Sequence, residues 1–337
     1  MDAENVMKAL ALMEYGKPQN LAIIEVPIPI AGPGQIQVRI GAVTINATDL
    51  RVITGQYKDM LPVEFPYIPG NDFAGTITAV GPGVSAYKVG DEVFGQALPR
   101  QLRAVVSSDR PSLSTGALAE YAVFEADTLL IAHRPRNVPL EQAAALAIGG
   151  MTARAVTKIA QPKQGESALV IGATGASGST LVPMLARAGV RTYATARTPE
   201  GRDLVCSLGA EEAVGVDPAD YPTEVDIVFN FALFQDQIHH AARALRSGGR
   251  LVSIIFPPAT AEDLGRDDVD FHFMLDMDGV YGGMPDVAEA AGSGKLTAQI
   301  AQTLPFAQAV DAVVSYATTK PLGNIVVRFP DHKHPGG

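Results

Sequence analysis

Three glycines spaced three residues apart, Gly172, Gly175 and Gly178, form the part of this sequence best suited to hold an anion. They follow the apolar run Ala168, Leu169, Val170, Ile171 and precede Leu181, Val182, Leu185 and Ala186 at helical spacing. The order is strand, tight glycine turn, helix. Such a turn brings backbone N–H groups close to a pyrophosphate, and the helix N-terminus adds a favourable field. A Cβ would block that approach or forbid the backbone angles of the turn. Gly172, Ala173, Thr174, Gly175, Ala176, Ser177 and Gly178 are therefore the expected cofactor contacts. The spacing departs from the commoner G-x-G-x-x-G, and an ordinary strand–helix turn without a ligand is the competing reading.

The end of the second strand of a dinucleotide fold faces the adenine ribose, where an acid favours NAD and a cation favours NADP. Here the strand Thr192-Tyr193-Ala194-Thr195-Ala196 runs into Arg197 and Thr198, with Arg202 one helical turn on. Two guanidinium forks and a hydroxyl suit a phosphate, so NADPH is the expected cofactor. A solvated surface role for Arg197 is the plain alternative. A metal is not expected. One cysteine, Cys206, rules out a thiolate cluster, and the six histidines form no H-x-x-x-H pair. His239 and His240 read as surface residues on different sides of a helix.

The elements that must place these residues fall into two kinds. Residues 6–26 read as two strands about a turn, 35–43 and 72–80 as strands, 44–55 as a polar break and short helix, and 88–95 and 119–130 as further strands. Gly and Pro punctuate them, as in a β-rich domain. Residues 97–115 read as an exposed loop. From about Pro139 a helix broken near Gly149-Gly150 leads into regular alternation. Strands are expected at 168–171, 190–196, 213–216, 225–231 and 250–256, the last after a stop at Ser247-Gly248-Gly249. Helices are expected at 178–188, 199–208 and 235–246. That alternation predicts a parallel sheet covered by helices on both faces, a doubly wound α/β fold. A helix near Pro285, a helix at 306–317 and a strand at 324–329 close the chain before the tail 331–337.

A chain of 337 residues has room for two cores. The net charge of -10, without a long basic cluster, argues against nucleic acid and anionic membranes. No apolar run is long enough to span a bilayer, and the N-terminus lacks a secretory pattern. The lone cysteine suits a reducing compartment, so a cytoplasmic location is expected.

Several landmarks now form a set: Ile45-Asn46-Ala47-Thr48-Asp49, Thr54-Gly55-Gln56-Tyr57, Pro69-Gly70-Asn71-Asp72-Phe73-Ala74-Gly75, Gly90-Asp91-Glu92-Val93, Ala144-Ala145-Leu146, Met151-Thr152-Ala153, the 172–178 turn, and Gly248-Gly249-Arg250. Over about residues 6–330 the chain resembles the zinc-independent medium-chain dehydrogenase/reductase superfamily, in its quinone oxidoreductase and enoyl reductase branch. The zinc enzymes of that superfamily carry Gly-His-Glu where Gly70-Asn71-Asp72 stands, and a Cys near Asn46. The resemblance implies a GroES-like catalytic domain (1–125 and 284–330), a Rossmann NADPH domain (126–283), and a homodimer paired through an edge strand within 250–283. It implies catalytic roles for Asn46 and Tyr57: the Asn46 amide would support the substrate oxygen and Tyr57 would donate a hydrogen bond or proton. It places Thr152, Asn230 and Asn324 at the cofactor and Arg51 and Asn71 in the substrate pocket. From the residues alone, Asn46 could equally cap its helix and Tyr57 form an apolar wall.

The implied reaction transfers hydride from NADPH to the β-carbon of an α,β-unsaturated carbonyl, or to a quinone, without metal. Carbonyl reduction to an alcohol and a non-catalytic NADPH-binding role are the alternatives. Arg51, where many relatives carry a second pocket tyrosine, and the 97–115 loop point to a specialised substrate.

Overall fold

The structure is a computed structural model that describes residues 6–60, 62–97, 116–276 and 278–330. The sequence readings for 98–115 and 331–337 lie outside the described residues; Ala97 is buried. The chain divides into two compact units, Met1–Ile148 with Met277–Gly294 and Ile300–Gly337, and Gly149–Asp276 with Lys295–Gln299. Residues 126–148 and 277–283 thus group with the β-rich unit, not with the nucleotide unit expected from the sequence.

In the β-rich unit, β1 (Val6–Ala11) and β2 (Ala22–Pro27) pair antiparallel. A seven-stranded sheet is built around β3 (Gln35–Thr44). Its alternating burial puts Ile36, Val38 and Ile40 inward, the period-two pattern of a strand with one covered face. Short helix α1 (Ala47–Ile53) follows β3 directly. β4 (Asp72–Val80) and β6 (Tyr121–Glu125) flank β3, and β5 (Glu92–Gln96) and β7 (Ile131–His133) extend the β4 side. Phe73 and Phe124 stack in the core with ring centroids 4.1 Å apart.

Helix α2 (Leu140–Ala160) is continuous, so Gly149-Gly150 does not break it. Gly149 is a packing residue: a Cβ there would come within 3.2 Å of the Ala176 carbonyl. In the second unit, β8 (Ser167–Ile171), α3 (Ala176–Arg187), β9 (Arg191–Thr195), α4 (Pro199–Ser207), β10 (Glu212–Val214), β11 (Val225–Asn230), α5 (Ile238–Ala244), β12 (Leu245–Ser253), α6 (Ala261–Leu264) and β13 (Asp270–Phe273) follow in turn. The sheet order is β10-β9-β8-β11-β12-β13, parallel throughout. Every residue of β8 is buried, as a central parallel strand requires. The order reverses between β8 and β11, so a ligand belongs at the loops following those strands. β12 starts at Leu245 and runs through the glycines read as a stop; Gly248 takes φ +69° within it. His239 and His240 do not diverge: their rings lie 3.9 Å apart. Cys206 is exposed near the end of α4.

The chain then adds α7 (Gly283–Gly292), β14 (Ile300–Pro305), α8 (Ala309–Thr319) and β15 (Asn324–Arg328) to the first unit. β15 pairs with β3, and β14 lies outside β15. Among the described residues no helix is long and apolar enough to cross a membrane.

Candidate active site

The polar residues at the end of β3 are tied into one buried network. The Ile45 N–H donates to the Ile325 carbonyl (3.0 Å), which fixes the exit of β3 against β15. Asn46 then occupies the N-cap of α1, and its backbone N–H donates to Asp49 Oδ2 (2.9 Å). Asp49 Oδ1 accepts from the Gly70 N–H (2.8 Å). Across the sheet, Asp72 Oδ1 accepts from the Thr44 N–H (2.6 Å), and Asp72 Oδ2 accepts from the Thr44 hydroxyl and from Asn46 Nδ2 (2.8 Å). Asp49 and Asp72 are fully buried. Burial raises the Asp49 carboxyl to about 6, against the N–H groups of Asn46 and Gly70, which lower it. Burial raises Asp72 to about 7 despite its Thr44 and Asn46 donors, and the Asp49 charge pushes the same way.

A second group lies along α1 and after it. Arg51 Nη1 donates to the Tyr57 hydroxyl oxygen (2.9 Å), with its guanidinium carbon 5.9 Å from the Tyr57 ring centroid. Burial raises the Tyr316 phenol to about 12, with Asp49 adding to the rise and Arg51 opposing it. Asn71 is 1% exposed, and neither its Nδ2 nor its Oδ1 has a hydrogen-bond partner among the described residues. The Tyr67 hydroxyl is buried in the same condition.

In the nucleotide unit, Gly172 ends β8 with φ +83°, and its N–H donates to Thr195 Oγ1 (2.9 Å). Gly178 packs α3 onto the turn: a Cβ there would meet the Gly172 carbonyl oxygen at 2.4 Å and the Ala173 Cα at 2.6 Å. Gly175 is different. A Cβ would touch only the Gly172 oxygen, at 3.5 Å, so its face is open. The first-turn N–H groups of α3 have no intrahelical acceptors. Arg197 is exposed and pairs with none of the described residues. An open glycine face, a helix N-terminus and an uncommitted guanidinium fit a dinucleotide.

The Alcohol dehydrogenase GroES-like domain family matches residues 32–134, and the Zinc-binding dehydrogenase family matches residues 208–327. Quinone oxidoreductase of Mus musculus is 30% identical over 264 residues, which is 74% of each chain. This chain belongs to the medium-chain dehydrogenase/reductase superfamily, in its quinone oxidoreductase and enoyl reductase branch. The NADPH-dependent alkenal/one oxidoreductase of Arabidopsis thaliana is 26% identical over 329 residues, 95% of this chain and 79% of that protein. The solved quinone oxidoreductase of Coxiella burnetii shares the fold, with a TM-score of 0.84 at 22% identity over 96% of this chain and 99% of that one.

As a member of that branch the protein departs from several sequence expectations. The Asn46 amide N–H groups do not face outward for a substrate oxygen; they donate to Asp72 Oδ2 and, at 3.2 and 3.3 Å, to the Thr44 hydroxyl and carbonyl. Those three acceptors already take up both of its N–H groups. Asn230 does not offer its side chain to a cofactor. Its Nδ2 donates to the Leu233 carbonyl and Ser253 Oγ, and its Oδ1 accepts from the N–H groups of Ala232 and Leu233. It shapes the 231–233 loop, which lies against the glycine turn: a Cβ on Gly172 would come within 3.2 Å of Phe231 Cβ.

Arg202 Nη1 donates to the Ala213 carbonyl (2.9 Å), which ties it to the outer strand. Thr198 caps α4 by accepting from the Gly201 N–H (3.2 Å). An acid does stand nearby. The Glu200 carboxyl is held below its ordinary value by its own backbone N–H and the Thr198 hydroxyl. Of the three residues expected around a phosphate, Arg197 keeps its guanidinium uncommitted. Arg51 turns back onto Tyr57 instead of into solvent. Thr152 is half-buried on α2, and Asn324 is buried at the start of β15, in the β-rich unit.

Sequence reading missed Thr44, Asp49, Asp72, Tyr67 and Tyr316. Asn46-x-x-Asp49 has the spacing of a helix-capping pair and would have exposed Asp49. Nothing in the sequence marks Asp72 as buried.

Proposed function

We propose that this protein is an NADPH-dependent reductase of α,β-unsaturated carbonyls or quinones that works without a metal. The observation that carries the cofactor assignment is the open Gly175 face together with the unpaired Arg197. The NADPH dependence of the Arabidopsis relative supports it. On the substrate side, the positions Asn46 and Asn71 offer amides, which are poor zinc ligands beside His, Cys and carboxylates. Among the described residues no three of His, Cys, Asp and Glu come together.

NADPH, when bound, supplies the hydride. The chain's own task is to meet the charge that develops on the carbonyl oxygen and to guide a proton. Arg51 donating to the Tyr57 oxygen directs the phenol's own hydrogen away from the guanidinium, which leaves Tyr57 oriented as a donor. Asp72 does its part through Asn46: it holds the amide, and thereby the start of α1 that carries Arg51, in one position. Tyr57 is 4% exposed, so water competes poorly for its hydroxyl.

The test is NADPH oxidation with an enone, followed by product analysis. A saturated ketone is expected; an allylic alcohol would mean carbonyl reduction, and no oxidation with any enone or quinone would mean the chain is no reductase of this class. Replacing Arg197 by Ala should weaken NADPH binding at least about tenfold and leave NADH nearly unchanged. Equal losses for both nucleotides would remove the phosphate argument.

A further inference from the structure

We propose that Asn71 is the residue that grips the substrate carbonyl, and that it favours acceptors carrying a hydroxyl beside that carbonyl. The inference rests on the reductase reading above. Asn71 is buried, yet both polar atoms of its side chain lack partners among the described residues. A buried donor and acceptor left unpaired bear the full cost of desolvation, so such an amide is kept for something that arrives later.

The backbone around it is pinned. The Asn71 carbonyl accepts from the Ala97 N–H (2.8 Å), the Gly70 N–H donates to Asp49 (2.8 Å), and the next residue, Asp72, is held by Thr44 and Asn46. Gly70 itself sits at φ +108°, and a Cβ there would meet the Leu118 nitrogen at 2.6 Å. The peptide units on either side of Asn71 therefore have little freedom to turn its amide toward another protein group. The nearby Asn46 amide is already spent on Asp72 and Thr44.

An amide presents a donor and an acceptor side by side. A bare enone oxygen answers only the Nδ2 group and leaves Oδ1 unpaired. A hydroxyl on the carbon next to the carbonyl answers both. The matching class is the α-hydroxy enone, with the hydroxyl donating to Oδ1 and the carbonyl accepting from Nδ2.

Two ketones of equal size separate the possibilities: hydroxymethyl vinyl ketone and ethyl vinyl ketone, each assayed with NADPH. The wild-type enzyme should show kcat/KM about tenfold higher for the hydroxylated ketone. Asn71→Leu should abolish that preference and should not lower Tm, because it replaces an orphaned amide with an apolar group of the same branched shape. Equal wild-type efficiencies, or a preference that survives in the Leu variant, would overturn the proposal. A marked fall in Tm would also overturn it, by showing that the amide has a structural partner. If the Leu variant does not fold, the wild-type ratio decides alone. Failure of the reductase reading looks different: neither ketone, nor para-benzoquinone, is reduced by the wild type.

Discussion

Two carboxyls buried side by side in one network make the protein sensitive to pH at the level of single residues. In the folded chain Asp72 titrates near 7 and Asp49 near 6, against 3.8 for an ordinary aspartate. The folded state therefore holds protons that the unfolded chain has already released. Their contribution to stability is complete below the unfolded value and is lost as pH rises through the folded values. Between the ordinary value of 3.8 and about 7, this pair makes stability fall with increasing pH. Asp72→Asn removes one titrating group, so denaturant melts of the variant should show a shallower fall over that range. An unchanged slope would mean that Asp72 is ionised throughout. The variant also presents an amide to both Thr44 and Asn46. One of the two must lose its acceptor, and activity should fall even where the protein stays folded.

At the scale of elements, the glycine turn divides its work among its three glycines. Gly178→Ala drives a Cβ into the Gly172 carbonyl at 2.4 Å and should destabilise the unit by about 1–3 kcal/mol in thermal or urea melts. Gly175→Ala meets only one atom, at 3.5 Å, and should leave Tm nearly unchanged while it weakens nucleotide binding in a titration. Equal effects of the two on stability would refute that division. The turn was legible because strand, glycines and helix lie within a short stretch and follow local rules of spacing. The alternation of strands and helices was legible for the same reason.

Other elements were hidden because a distant contact decides them. Gly149 looks like a helix break until the Ala176 carbonyl is found 3.2 Å from where its Cβ would stand. The three-residue β7, the four-residue β13 and the outer strand β14 are too short or too plain to show a period, and only their neighbours make them strands. The site was half-legible. Asn46, Arg51 and Tyr57 announce themselves by type, but no residue pattern says that Asp72 will claim the Asn46 amide from the next strand in chain order.

Considered whole, the molecule carries a net charge of -10 and a six-stranded parallel sheet that ends at β13. An edge strand offers unpaired backbone groups to another chain. We propose that β13 pairs with its copy to form a homodimer, and light scattering should then give twice the 35.3 kDa of one chain. A single-chain mass at micromolar concentration would count against it.

The exposed Cys206 has a practical consequence. It is the one thiol in 337 residues, and it sits near the far end of a nine-residue helix that opens at Thr198, beside Arg197. At 1.5 Å of rise per residue that helix is about 13 Å long. A maleimide dye would therefore attach at a single position, without mutagenesis, within fluorescence-quenching range of the arginine on which the choice between the two nicotinamide nucleotides is argued to turn. The native polypeptide supplies its own attachment point for an optical titration.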